Sequence, residues 1–286
     1  MHALFRRSLL AFLLVLWSAA AAAQPQALPS PYEPSVGQEG KDVVWVPTPQ
    51  ALVDKMLEMA RVTPSDYLID LGSGDGRTVI TAAKRGVRAL GIEYNPDMIE
   101  LSKRNAQKEG VVERATFVKQ DLFESDFSKA TVITMFLLDR LNLQLRPKIL
   151  DLKPGTRIVS NTFTMGEWTA DDRVSANEKE GCQSYCVAHL WIVPAKVAGT
   201  WKLPQGELTL RQEFQMLSGQ LRVGDKLLPI TGGRVRGDRL AFRAGGIDYA
   251  GRMNGGSIEG TGNGNAGTWM PVGAQKPVPA NAPAKT

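Results

Sequence analysis

Three acidic residues and one glycine-rich turn carry the chemistry that is legible in this chain. Asp70 lies in the apolar run Tyr67-Leu68-Ile69-Asp70-Leu71, which leads directly into Gly72-Ser73-Gly74-Asp75-Gly76. A glycine turn between a strand and a helix lets a ligand approach the backbone and meet the positive end of the helix. Dinucleotide sites place glycine or alanine at the sixth position of such a turn, whereas Arg77 stands here, so a pyrophosphate is disfavoured. Asp70 is placed instead to accept from an amino group. Glu93 closes the run Ala89-Leu90-Gly91-Ile92-Glu93, and an acid there can take both hydroxyls of a ribose in a two-pronged hydrogen bond. Asp121 closes Thr116-Phe117-Val118-Lys119-Gln120-Asp121 and can accept from an adenine amino group, with Leu122 or Phe123 against the ring.

These residues need a scaffold that brings three strand ends to one edge. Residues 45–194 alternate strand-like and helix-like segments, the pattern of a parallel α/β sheet. After residue 195 the style changes, and 17 of the 28 glycines fall between Gly199 and Gly273. Short alternating runs such as Leu208-Thr209-Leu210 and Leu240-Ala241-Phe242 are separated by glycine turns, which predicts a β-meander over residues 195–273. Gly-Thr-Trp occurs at 199–201 and again at 267–269, so the first and last strands are expected to pair and close a small barrel or sandwich.

The segments Asp70-Leu-Gly-Ser-Gly-Asp-Gly-Arg77, Gly91-Ile-Glu-Tyr-Asn-Pro96 and Gln120-Asp121-Leu122 together resemble a class I S-adenosylmethionine-dependent methyltransferase. Val46-Pro-Thr-Pro49 and Leu152-Lys-Pro-Gly155 are similar to one branch, which includes the mitochondrial lysine methyltransferases acting on the c subunit of ATP synthase and on the adenine nucleotide translocase. The likeness covers roughly residues 45–165. It implies a Rossmann-like, seven-stranded sheet and S-adenosyl-L-methionine as methyl donor. It also implies a cofactor site drawn from Asp70, Gly72, Ser73, Gly74, Gly76, Glu93, Tyr94, Asp121 and Leu122. An export signal and a β-rich second domain depart from that branch.

Methyl transfer needs an in-line nucleophile and a site that excludes water, so positioning is the protein's main contribution. A lysine acceptor must lose its proton, which burial in an apolar channel promotes. Trp45, Thr48 and Phe136 are candidates to line that channel; no catalytic acid or base is assigned. Leu137-Leu138-Asp139 replaces the Asn/Asp-Pro-Pro-aromatic motif of base methyltransferases, and the basic residues are scattered rather than clustered, so nucleic acid is not the expected partner. The remaining functional classes are a protein-lysine methyltransferase, a small-molecule O- or N-methyltransferase, and a binding protein without catalysis. The histidines and cysteines form no metal-ligand cluster, and His189, within a strand-like run, reads as structural.

At the N-terminus Arg6 and Arg7 precede an apolar stretch at residues 9–23 that is too short for a bilayer-spanning helix. That is the layout of a signal peptide cleaved after Ala23, so the remainder is expected in the periplasm or secreted, with no stable membrane span. Residues 24–44, rich in Pro, Gly and Gln, read as a linker, and residues 274–286 as a disordered tail. Cys182 and Cys186 would stand too far apart within one strand to pair; a turn between them would permit a disulfide.

Overall fold

The structure is a computed structural model that describes residues 32–262 and 264–273. The signal segment and the C-terminal tail expected from sequence lie outside the described residues. Residues 45–194 form a mixed sheet flanked by helices. Helix α1 (Gln50–Met59) precedes β1 (Tyr67–Leu71), and α2 (Arg77–Lys84), β2 (Arg88–Glu93), α3 (Pro96–Lys108) and β3 (Ala115–Lys119) follow in alternation. Strand β4 (Val132–Met135), α4 (Asp139–Leu150), β5 (Arg157–Asn161), β6 (Asp172–Ser175) and β7 (Val187–Ile192) complete the sheet. The strand order is β3-β2-β1-β4-β5-β7-β6, with β7 antiparallel to β5. The expected seven strands are present.

Chain order reverses between β1 and β4, and an open sheet binds its ligand in the crevice outside that switch point. Two cores hold the sheet on its two faces. On one, Leu52, Val53, Met56 and Leu57 of α1 pack with Val79 and Ala83 of α2; on the other, Leu141, Leu145 and Ile149 of α4 pack with Ile133 and Ile158. The spacing of these residues at three and four positions is what makes those segments helices.

The remaining strands are β8 (Gly199–Leu203), β9 (Gly206–Glu213), β10 (Met216–Val223), β11 (Lys226–Arg236), β12 (Arg239–Ala244), β13 (Ile247–Asn254), β14 (Ser257–Gly262) and β15 (Asn265–Pro271). They form a closed antiparallel barrel in which β15 returns to β8 through Met270–Lys202 and Pro271–Trp201. Closure through the two Gly-Thr-Trp strands is borne out, and both tryptophans, Trp201 and Trp269, are buried in the barrel core. The barrel rests on the sheet domain at the β5–β6 connection. Phe214 stacks on Trp168 with ring centroids 6.0 Å apart, Arg234 pairs with the buried Asp171 at 2.7 Å, and Gln215 donates to the Thr169 carbonyl at 2.7 Å.

Cys182 and Cys186 are joined by a disulfide, with Cα atoms 5.8 Å apart. Four residues of extended strand would separate them by about 13 Å. The chain instead bends before β7 begins at Val187, with Tyr185 at φ +54°, so the permitting turn is present.

Candidate active site

The C-terminal edges of β1, β2 and β4 open onto a cavity of about 400 Å³. Asp70, Gly72, Ser73, Gly74, Glu93, Tyr94, Asp121 and Leu122 all line it, as do Trp45, Thr48 and Phe136. Gly76 is the exception. Its φ of +82° caps α2 in the left-handed region, and a Cβ there would stand 2.8 Å from the Phe117 ring and 2.9 Å from Ser102. Its smallness serves the packing of α2 on β3 and α3 rather than the cavity wall.

The glycine turn is held from behind. Gly72 and Ser73 both donate their backbone N–H to the Ile92 carbonyl, Ser102 donates to the Gly74 carbonyl at 2.8 Å, and Asn105 donates to the Asp75 carbonyl at 2.9 Å. Arg77, conspicuous in the sequence only for not being glycine, is a latch. Its Nε donates to Asp75 at 3.0 Å, and a terminal nitrogen donates to the Thr48 carbonyl at 2.9 Å. Thr48 also accepts from the buried Asn161 side chain at 3.2 Å, so the chain entering α1 is fastened to both β5 and the glycine turn.

Asp70 is 6% exposed, and the Thr134 hydroxyl on the neighbouring strand donates to it at 2.6 Å. Burial pushes its carboxyl up to about 7; the Thr134 bond acts the other way, and Glu93 and Asp75 add like-charge repulsion. A cationic amino group entering the cavity would relieve both the burial cost and the repulsion. The Ser73 hydroxyl is buried without a hydrogen-bond partner among the described residues. A buried acid that one hydroxyl compensates only in part, at the wall of a cavity of ligand size, fits a bound ligand with an amino group.

Glu93 differs in detail from the two-pronged reading. Its Oε2 accepts from the Gly74 N–H at 2.9 Å, and its Oε1 accepts from the Tyr94 and Asn95 N–H groups at 2.9 and 3.0 Å. A carboxylate has about four lone-pair sites, so roughly one remains for a ribose hydroxyl while these bonds hold. Asp121 accepts from the Phe123 N–H at 2.8 Å and is ion-paired with Lys41; the Lys41 bond first, then that N–H, hold its carboxyl below the usual range.

Lys41 comes from a segment that sequence alone did not connect to the site. Gly37 donates its N–H to the Trp45 carbonyl, and Trp45 donates its own to the Gln38 carbonyl, folding residues 37–45 into a short strap across the cavity. Lys41 lies 4.6 Å from the Tyr94 ring centroid, and Arg140 donates to the Asp42 carbonyl at 2.7 Å. The Trp45 indole crosses Gly74 so closely that a Cβ at Gly74 would lie 2.7 Å from Nε1. Phe163 and Tyr185, also missed from sequence, join Phe136 in the cavity wall. His189 is not among the lining residues; burial lowers its basicity, as does the nearby Arg173 charge.

A switch-point cavity with an acid at or just beyond the end of each of three strands is the arrangement of a Rossmann-like nucleoside site, and the class I methyltransferases are one class built on it. The model of the ANTKMT methyltransferase domain matches residues 70–172. A protein-lysine N-methyltransferase of Saccharolobus islandicus is 45% identical over 139 residues, spanning 48% of this chain and 86% of that protein. A human lysine N-methyltransferase of the ATP synthase C subunit is 35% identical over 128 residues, 44% of this chain and 54% of that protein. A solved structure of an RNA methyltransferase from Salinibacter ruber, bound to S-adenosyl-L-homocysteine, is 44% identical, covers 53% of this chain and 96% of that one, and superposes with a TM-score of 0.49. The chain belongs to the ANTKMT methyltransferase family and is an S-adenosylmethionine-dependent methyltransferase.

Proposed function

We propose that this methyltransferase acts on a lysine side chain of a protein, in the periplasm or another oxidising compartment. The observation that carries the acceptor reading is the character of the cavity beyond β4. Phe136, Leu137 and Leu138 continue the strand into the cavity wall, and Leu138 and Tyr185 line the cavity while remaining 38% and 43% exposed at the surface. An apolar passage that reaches the surface suits a long aliphatic stem on a macromolecule better than an enclosed small molecule. Similarity to proteins named as lysine methyltransferases supports the same reading.

Asp70 and Ser73 would hold the amino acid portion of S-adenosylmethionine, Glu93 a ribose hydroxyl, and Asp121 with Leu122 the adenine. When bound, the cofactor supplies an electrophilic methyl group. The protein orients the acceptor amine in line, excludes water, and favours the neutral amine by burying it, since the charged form loses its hydration there. The acceptor nitrogen would take up that methyl group, leaving the cofactor as its thioether, and would release a proton to solvent. Incubation of the full chain with labelled S-adenosylmethionine and a periplasmic protein extract, followed by peptide mass spectrometry, tests the acceptor. Label on lysine supports it; label confined to small molecules or RNA overturns it.

The Cys182–Cys186 disulfide supports the compartment, because such bonds persist in oxidising environments. A phosphatase active only after export, fused behind Pro34, is expected to be active in a bacterial host and silent without residues 1–23. Equal activity of both fusions would refute export.

A further inference from the structure

We infer that Tyr185, presented by the loop that the Cys182–Cys186 disulfide closes, forms with Phe136 and Phe163 an aromatic mouth that recognises the cationic head of the acceptor side chain. This rests on the proposed lysine acceptor and names the residues that select it. The three rings arrive from separate parts of the fold. Phe136 follows β4, Phe163 follows β5, and Tyr185 precedes β7. Their centroids lie 5.2 Å apart for Phe136–Tyr185, 6.0 Å for Phe136–Phe163 and 6.5 Å for Phe163–Tyr185. All three line the cavity, and none is fully buried, so the cluster is a wall rather than a piece of core.

The backbone shows that this arrangement is held against local preference. Tyr185 sits at φ +54° and Thr162, next to Phe163, at φ +60°, a left-handed conformation that costs a residue with a side chain and recurs at ligand clamps. The disulfide shortens the loop around Tyr185 to three residues between the paired cysteines, and Cys182 is buried beneath it. Tyr185 is thereby fixed at the mouth although its ring is exposed.

Charge favours a cation there. Among the described residues lining the cavity, Asp75 and Asp121 are paired with Arg77 and Lys41, which leaves Glu39, Asp42 and Glu93 in excess, so the cavity is net acidic and an anionic acceptor would be repelled. Aromatic faces attract ammonium groups, and methylated ammonium groups are well suited because they are weakly hydrated. The mouth thus fits an incoming lysine and retains a partly methylated one for another turnover.

The test uses the full chain saturated with S-adenosylhomocysteine. It is titrated with a short peptide carrying trimethyllysine and with the same peptide carrying the neutral isostere, in which C(CH3)3 replaces N(CH3)3+. The cation is expected to bind roughly threefold to thirtyfold more tightly. Tyr185→Leu, and separately Cys182→Ser combined with Cys186→Ser, should reduce that preference to below about twofold while S-adenosylhomocysteine affinity is retained; Tyr185→Phe should keep it. Equal binding of the two peptides, or binding of neither, overturns the aromatic mouth, and a preference that survives Tyr185→Leu overturns the role of Tyr185. A preference that survives the double serine variant overturns the role of the disulfide. A cation preference without lysine methylation would leave the mouth standing and remove the lysine acceptor, whereas lysine methylation without that preference would do the reverse.

Discussion

Asp70 and Thr134 are register partners on adjacent parallel strands, and the Thr134 hydroxyl donates to the buried Asp70 carboxylate 2.6 Å away at the cavity wall. One hydroxyl does not offset the cost of a buried charge, so the acid carries a proton up to about pH 7 in the ligand-free protein. A cationic amino group requires the ionised form. Affinity for S-adenosylhomocysteine should therefore fall about tenfold per pH unit as pH drops from roughly 7 to 5.5, and calorimetry across that range measures it. Asp70→Asn should bind weakly and without that slope.

The same group predicts an inverted stability profile. Between the unfolded value of 3.8 and about 7 the folded state holds a proton that the unfolded chain has released. Raising pH through that window therefore destabilises the ligand-free fold, by as much as about 4 kcal/mol once the acid is ionised. Denaturant melts at about pH 5.5 and 8 span roughly half of that window and should show a loss of about 2 kcal/mol in the native protein and its absence in Asp70→Asn. Identical pH profiles for the two would refute the burial argument.

Gly74→Ala is expected to disable the cofactor site without unfolding the sheet. The new Cβ meets the Trp45 indole at 2.7 Å, and φ is +53°, where a side chain costs roughly 1–2 kcal/mol. Combining it with Trp45→Ala should recover the part due to the clash and leave the part due to the backbone. Binding constants for the four proteins of that cycle separate the two.

Glu93→Ala should weaken S-adenosylmethionine binding roughly tenfold to a hundredfold, through loss of one charged ribose contact and release of the Gly74 N–H. Unchanged affinity by calorimetry would remove Glu93 from the site.

A chain ended at Pro194 should keep its affinity for S-adenosylhomocysteine, because no residue beyond Tyr185 lines the cavity among the described residues. It should nevertheless melt at a lower temperature. Trp168 would lose the Phe214 ring that covers it, and Asp171 the Arg234 guanidinium. Loss of binding would mean that the barrel completes the site.

The parts of this molecule that sequence revealed are those written locally. Asp70 and the glycine turn sit within seven residues, and Glu93 and Asp121 each end a short apolar run, so strand spacing alone carried them to one sheet edge. The Gly-Thr-Trp pair disclosed barrel closure because two matching strands had to meet. The strap was illegible because its anchor, Lys41 to Asp121, spans 80 residues and its composition is that of a linker. Arg77 was seen only as a departure from a dinucleotide pattern; its latch to Thr48 exists only once α1 and α2 pack together. Tyr185 depends on a left-handed backbone angle and a disulfide turn, neither of which periodicity records.

Barrel closure also orders events in time. One side of β8 pairs at once with its neighbour β9, but the other side waits for Met270 and Pro271 of β15, so the ring cannot shut until nearly the last described residue has been synthesised. The sheet domain, by contrast, has all seven of its strands by Ile192 and can collapse while the barrel is still being made. Emergence of the chain from its N-terminus, in synthesis or in export, would thus separate two folding problems that compete if the whole chain is released at once, and the slow, long-range pairing step falls to the part that carries none of the cavity-lining residues.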